Sequence, residues 1–324
     1  MPDVTHMLVA PSSELKIARA EGTFASLHAL PDGHLSRLRT LKAVLAALEP
    51  DLVHAHSSLA GVYARLVAQC PVVYQPHCFK FTDPSLSRLR ALAIRAVEMC
   101  FARRTRVTVA LTPHEERTAA ELGASVVARL TNVPSTVHLG TDVPAEAPRP
   151  RVVTMIGRVT EQKDPRFFAD IAALARVELP ELRFRWVGAG EDELERALSD
   201  AEVEVTGWLD PARVAGSLRE SWVYMHTASY EGFPLAVLDA AAAGLPIVVR
   251  PIDAFDGTTL RRVGSAAQAV EVLRRLVYEE DEYASAKRIS RDLADSATPV
   301  KQRDQLLSIY EIAVRPAVGI GGAR

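Results

Sequence analysis

Short apolar runs alternate with helix-length segments along almost the whole chain. Apolar runs of roughly 4–8 residues bounded by turn residues suit strands buried on both faces, and the segments between them are long enough to cover a parallel sheet. In the first half the pattern predicts strands near Val4–Ala10, Thr23–Leu27, Asp51–His54, Val72–Gln75 and Val107–Leu111. Helices are predicted near Leu35–Leu48, Leu59–Ala68, Leu86–Arg103 and His114–Leu122. Gly140–Pro150, rich in Pro, Ala and acids, reads as a linker. The second half restarts with a strand at Val152–Ile156, a helix at Arg166–Val177, a strand at Arg183–Val187, a helix at Asp192–Ser199 and a strand at Val203–Thr206. A strand at Ser221–His226, a helix at Pro234–Ala243 and a strand at Leu245–Val249 follow, and helices near Ala266–Tyr278, Tyr283–Leu293 and Val300–Val314 close the chain.

The predicted fold class is therefore α/β, with two Rossmann-like domains. The expected division is 1–143, 144–299 and a segment 300–324 whose helix crosses back onto the first domain, with Gly319–Arg324 as a frayed tail. A length of 324 residues suits two such units, and a formal net charge of −2 argues against a general nucleic-acid binder. No apolar run reaches the roughly 18 residues needed to cross a bilayer, and Met1–Ala10 lacks a signal pattern, so a cytoplasmic location is expected. Cys70, Cys78 and Cys100 are scattered without a C-x-x-C pair and read as reduced thiols.

The candidate chemistry lies at strand ends. Tyr230–Val249 sets Glu231 and Asp239 around a Gly232-Phe233-Pro234 turn. Gly232 lets backbone approach a ligand closely, Pro234 suits a first helical position, and the free N–H groups there attract anions. Either acid can accept hydrogen bonds from sugar hydroxyls, although a capped helix with solvated acids fits the same letters. The strand Val152–Ile156 runs into Gly157-Arg158-Val159-Thr160-Glu161-Gln162-Lys163, which delivers two cations at the carboxyl edge of a parallel sheet. Together Arg158 and Lys163 could neutralise a diphosphate; alone they could equally be solvated surface cations. Gly188 and Gly190 form a second turn after Arg183–Val187, but Glu193 stands where a dinucleotide fingerprint needs its third Gly, so only close backbone approach to a base or ribose is expected.

These segments resemble glycosyltransferase family 4 of the GT-B fold. G-R-V-T-E-Q-K-D at 157–164, V-G-A-G-E at 187–191, V-T-G-W-L at 205–209 and E-G-F-P-L-A-V-L-D-A-A-A-A-G-L-P-I-V at 231–248 carry the likeness, which spans roughly Val4 to Val314. The resemblance implies a retaining transferase that moves a hexosyl unit from a nucleotide-diphosphate sugar, such as a UDP- or GDP-sugar, to an acceptor hydroxyl. It implies that Arg158 and Lys163 hold the diphosphate, that Glu231 binds the donor sugar, that Gly232, Phe233, Pro234 and Leu235 contact sugar and phosphates, and that Asp239 meets the ribose. No cofactor is implied, and no Asp-x-Asp metal motif occurs.

The first half fits as the acceptor domain, with D-L-V-H-A-H-S-S-L-A-G at 51–61 similar to a family segment. His54 and His56 alternate, so one is expected toward the cleft. His77, in V-V-Y-Q-P-H-C-F-K-F, follows a buried strand where similar enzymes carry a histidine beside the transferred sugar. Asn132 serves as a position marker. Arg88, Arg90, Arg95, Arg103, Arg104 and Arg106 face only Glu98 across Leu86–Arg106, which suits either a solvated face or peripheral contact with an inner membrane and a lipid-linked acceptor.

Three departures stand out. Asp239 replaces the usual Glu, the family's opening strand, Gly-rich loop and helix are expected to be missing, so that the N-terminal domain is truncated, and the segment after Arg250 is short. They support a second reading, a non-catalytic GT-B protein that binds a nucleotide sugar or partners another transferase. A GT-B epimerase and a Rossmann dehydrogenase are further possibilities, the last disfavoured by the lack of a complete Gly fingerprint.

Overall fold

The computed structural model describes residues 4–15, 24–135 and 151–316. The linker expected at Gly140–Pro150 and the tail at Gly319–Arg324 lie outside the described residues.

The second half is organised around a six-stranded, wholly parallel sheet in the order β12-β11-β10-β7-β8-β9. Its central strands β7 (Val152–Ile156) and β10 (Val223–His226) are buried on both faces because helices cover both, whereas β8 (Arg183–Val187) turns Arg183 and Arg185 outward on one face. α6 (Pro165–Glu178) packs on α10 (Ala266–Tyr278), and α9 (Leu235–Ala242) on α11 (Glu280–Ser296). Met155, Phe168, Trp186, Tyr224 and Phe255 fill the core between the layers. The remaining strands are β9 (Glu204–Val205), β11 (Ile247–Val249) and β12 (Arg261–Arg262). A helix over Pro211–Glu220, α8, was not expected from the pattern. Its Pro211 and Gly216 argue against a helix by propensity, but Pro211 occupies the first turn, where its missing N–H costs nothing, and Asp210 caps it by accepting from Arg213 N at 2.9 Å.

The first half does not form one continuous sheet. β3 (Val53–His56), β4 (Val72–Gln75), β5 (Val107–Ala110) and β6 (Val127–Arg129) make a four-stranded parallel sheet, whereas among the described residues β1 (Met7–Pro11) and β2 (Ser26–Leu30) pair only with each other. The two sheets are joined by packing. Leu30, Leu41 of α2 (His34–Leu48) and Tyr63 of α3 (Ser58–Val67) form a shared cluster. Tyr310 stands between β1 and β3, its ring 6.4 Å from that of His6 and 5.7 Å from that of His54.

α4 (Arg88–Ala102) is turned so that its one acid points inward. Glu98 is buried, accepting from Arg65 Nη2 at 2.9 Å and from Tyr74 Oη at 2.8 Å, while the guanidinium lies 4.1 Å over the Tyr74 ring. A Cβ at Gly61 would sit 2.3 Å from that ring, so glycine is what admits it. With Glu98 inside, Leu89, Leu92 and Met99 are 81%, 62% and 50% exposed. The arginines divide: Arg95 reaches Glu121 at 3.4 Å, and Arg106 donates to the carbonyls of Ala313 and Arg315. Arg88, Arg90, Arg103 and Arg104 remain exposed around the apolar stripe.

The last helix, α12 (Pro299–Val314), packs on the first half: Ile309 and Ala313 share a core with Val73, Val107, Val109 and Leu130. Near the crossing between halves, Thr131 N donates to Gln305 Oε1 and Thr131 O accepts from Gln302 Nε2, each at 2.9 Å.

His54 is clamped between β3 and α12, its Nδ1 3.0 Å from Tyr310 Oη, and burial, followed by the charges of His56 and His77, pushes it down to about 3. A histidine depressed in the folded state contributes full stability above its unfolded value of 6.5 and loses it as pH falls toward 3. At pH 5 the unfolded imidazole is protonated and the folded one is not, a difference of up to about 2 kcal/mol. Urea unfolding at pH 7.5 and pH 5 should therefore show a smaller acid loss for His54→Asn than for the parent; an equal loss would contradict the assignment.

Candidate functional site

Three neighbouring strands, β10, β7 and β8, end at one edge of the second sheet, and their loops are locked together by backbone. After β7 the chain runs through Gly157 and Arg158 into a short turn, Glu161–Lys163. Ser229 N donates to Gln162 O at 2.9 Å, Thr227 Oγ1 to Lys163 O at 2.8 Å, and Gln162 Nε2 to Tyr230 O at 3.1 Å. On the other flank Trp186 Nε1 donates to Gly157 O at 2.8 Å. A Cβ at Gly188 would lie 2.1 Å from Gly157 O, and one at Gly190 would lie 2.1 Å from Val159 O. The bareness of these two glycines lets one loop pack against the next.

This lock brings Lys163 onto Glu231. The Lys163 ammonium bonds Glu231 Oε1 directly, and the pair is 17% and 12% exposed. Behind it sits His226, with no exposure, its Nε2 3.6 Å from the same oxygen and its Nδ1 3.1 Å from Tyr224 Oη. Burial works to raise the Glu231 carboxyl, but His226 and Lys163 outweigh it and hold Glu231 below the usual carboxylate value. Burial lowers His226, so its ring is neutral. Arg158 is exposed on the same loop and makes no ion pair among the described residues.

Pro234 is the N-cap of α9 rather than its first helical residue, with φ −72° and ψ 127°, and Leu235 opens the helix half-exposed. The Phe233 ring meets Phe255 edge-on at 6.0 Å, and its carbonyl accepts from Asn132 Nδ2 at 3.0 Å. Asn132, read as a marker only, therefore joins the halves. Asp239 is buried and accepts from Ser135 Oγ at 2.6 Å. A ribose hydroxyl approaching this carboxylate would have to share it with or displace Ser135. Behind Phe233 a cavity of about 360 Å³ opens between the halves, bordered by Thr112, Asn132, Leu238, Thr258 and Ser296.

The first half meets this edge through His77 and Asp83. A Cβ on Gly232 would lie 2.8 Å from both C and O of His77, so Gly232 admits the opposing backbone, where His77 and Cys78 hold φ of 56° and 102°. His77 Nε2 is 2.8 Å from His56 Nδ1, and the rings are stacked at 5.1 Å. Loss of hydration, then the charge of His56, brings His77 down to about 4, so the pair is neutral at neutral pH and one imidazole donates to the other. His56 rather than His54 thus faces the cleft. Tyr230 Oη donates to Asp83 Oδ2 at 2.8 Å across the halves. Burial would raise Asp83, but Lys80, Ser85 and Tyr230 hold it well below the usual range.

The structure therefore gathers Lys163, Glu231, Gly232 and the His77 backbone, with Arg158 on the same loop as Lys163, and leaves Asp239 under Ser135. Sequence reasoning missed His226, Asp83 and Ser135. Alternation placed His226 on the Tyr224 face of a buried strand, and Asp83-x-Ser85 is a turn signal, but neither names its partner. Among the described residues no helix is long and apolar enough to cross a membrane.

Comparison with known proteins finds similarity along both halves. Residues 10–136 match the description "Glycosyl transferase 4-like domain" and residues 150–295 match "Glycosyl transferases group 1". The chain is 24% identical over 309 residues to the UDP-Gal:alpha-D-GlcNAc-diphosphoundecaprenol alpha-1,3-galactosyltransferase of Escherichia coli, covering 85% of this chain and 79% of that one. HepE of Anabaena, solved with UDP and glucose, superposes with a TM-score of 0.69 at 17% identity, covering 95% of this chain and all (100%) of that one. The pneumococcal O-GlcNAc transferase GtfA, solved with UDP and GlcNAc, superposes with a TM-score of 0.67 at 15% identity; 86% of this chain is covered but only 60% of GtfA.

Gly232→Ala places a methyl group against the His77 carbonyl and should prop the halves apart without disturbing either core. Small-angle scattering should show a larger radius of gyration for the variant at an unchanged melting temperature. An unchanged radius would mean that the His77 backbone gives way instead.

Proposed function

As this chain belongs to the group 1 glycosyltransferases of family 4 type with the GT-B fold, we propose that it moves a hexosyl unit from a nucleotide-diphosphate sugar to an acceptor hydroxyl with retention of anomeric configuration. The observation that carries the proposal is the Lys163–Glu231 contact at the carboxyl edge of the second sheet, with Arg158 on the same loop. Glu231 holds the hydroxyls of the transferred sugar, and Gly232, Phe233, Pro234 and Leu235 present the α9 N-terminus to sugar and phosphates. Gly157, Gly188 and Gly190 shape the wall for the nucleotide. Asp239 receives the ribose once Ser135 yields. UDP is the nucleotide favoured by the name of the Escherichia coli relative and by the ligands of HepE and GtfA.

In the reaction the bond from C1 to the diphosphate oxygen breaks while the acceptor oxygen bonds C1 on the same face. The acceptor proton passes to the departing phosphate oxygen. Arg158 and Lys163 stabilise the charge that grows on the diphosphate, so positive side chains supply what a metal ion would. His77 orients a hydroxyl beside the reacting carbon, with His56 fixing its ring.

The acceptor we propose, by analogy with the diphosphoundecaprenol-linked acceptor in the name of the Escherichia coli relative, is a lipid-linked glycan, reached from the inner membrane face. α4 supports docking there, because Glu98 turns Leu89, Leu92 and Met99 outward between Arg88, Arg90, Arg103 and Arg104. A second reading, binding of a nucleotide sugar without turnover, draws on the break between β1 and β3.

A thermal-shift screen of nucleotide sugars followed by transfer assays separates these readings. Arg158→Ala and Lys163→Ala should each lower turnover by roughly a hundredfold with folding intact, in line with loss of one transition-state donor; full retained turnover would overturn the proposal. Nucleotide binding with neither transfer nor donor hydrolysis would favour the second reading. In sedimentation with phosphatidylglycerol vesicles, Leu89→Asp with Leu92→Asp should abolish most binding, and raised salt should weaken the parent. Salt-insensitive binding would count against docking through α4.

A further inference from the structure

We infer that His226 is a positioning residue that takes over the Glu231 carboxylate when the diphosphate draws Lys163 away. The inference rests on the reading of Glu231 as the sugar-holding acid and of Lys163 as a diphosphate ligand. Both His226 and Lys163 address the same oxygen, Glu231 Oε1. Lys163 is bonded to it, whereas His226 Nε2 waits at 3.6 Å, beyond hydrogen-bond length, with no partner among the described residues and no exposure to solvent.

The proton positions follow from donor and acceptor chemistry. An ionised carboxylate can only accept, so the ring nitrogen facing it carries the hydrogen, and Nδ1 then accepts from Tyr224 Oη at 3.1 Å. A buried N–H left without a partner is a standing cost, and cores rarely keep one without use. The ring cannot move, being packed edge-on to Phe255 at 5.8 Å and stacked with Tyr224 at 6.1 Å. The carboxylate can, over the few tenths of an ångström that would close the contact.

The groups facing Glu231 come from each element around it. They are Lys163 on the loop after β7, His226 and Tyr224 on β10, the adjoining Tyr230, and Cys78 from the first half, with Asp83 reached through Tyr230. Once Lys163 turns to the phosphates, His226 is the one remaining nitrogen donor of this set. Without it, a carboxylate in so dry a place would take up a proton and lose its grip on the sugar.

The test uses the full chain with the nucleotide sugar selected by the screen above. His226→Leu should move the acid limb of kcat at saturating donor up by about one pH unit, a loss absent at pH 8 that grows to about tenfold below the limb. His226→Gln, which keeps a side-chain N–H donor, should restore most of the limb. Folded H226L with the parental acid limb would overturn the inference alone. Full turnover by Glu231→Gln would overturn the reading of Glu231 and this inference with it. Should H226L fail to fold, long-range ¹⁵N spectra of the parent imidazoles decide. An Nε2–H tautomer for His226 that shifts on addition of UDP is expected; an Nδ1–H tautomer, or an Nε2–H signal that UDP does not move, would overturn it.

Discussion

The ion pair between Lys163 and Glu231 is the interaction on which the candidate site depends. It joins the loops of two adjacent strands, β7 and β10, at a place where water is scarce and each charge needs the other. Around it the same two loops are tied by Ser229, Thr227 and Gln162 through backbone carbonyls, so the pair rests on a scaffold that does not rely on it. Taking one partner away exposes a buried charge rather than loosening a loop.

The contact extends into the first half through small groups and short side chains. Gly232 meets the His77 backbone, Tyr230 meets Asp83, and Asn132 meets the Phe233 carbonyl, all within a few residues of Glu231. The acid that matters therefore lies where the halves touch, and its surroundings change whenever they part. Ser135 on Asp239 belongs to the same set of contacts. Glu231 and Asp239 each find a partner within the protein, as buried carboxylates require.

The α/β pattern and the strand ends that carry Arg158, Lys163 and Glu231 were legible in the sequence because strand and helix periods are local. So was Gly232, though for an incomplete reason: its neighbour is another stretch of protein. Gly188 and Gly190 illustrate the same limit, since a glycine announces close approach without naming what approaches. His226, Asp83 and Ser135 escaped because their roles lie in partners dozens of residues away. The split of the first sheet and the inward turn of Glu98 escaped for a like reason: strand pairing and helix rotation are settled by Tyr310, Arg65 and Tyr74, and no window along the chain contains them together. α8 shows the converse, a helix with poor local propensity held by an N-cap and by packing.

The tie between Thr131 and α12 has a mechanical meaning. The chain passes from one half to the other near Thr131 and returns before α12, and the two passages are stapled through Gln302 and Gln305. Two independent tethers would let the halves slide, twist and separate; stapled together they act as a single pivot. A jaw hinged on that pivot would close on whatever fits between Glu231 and His77.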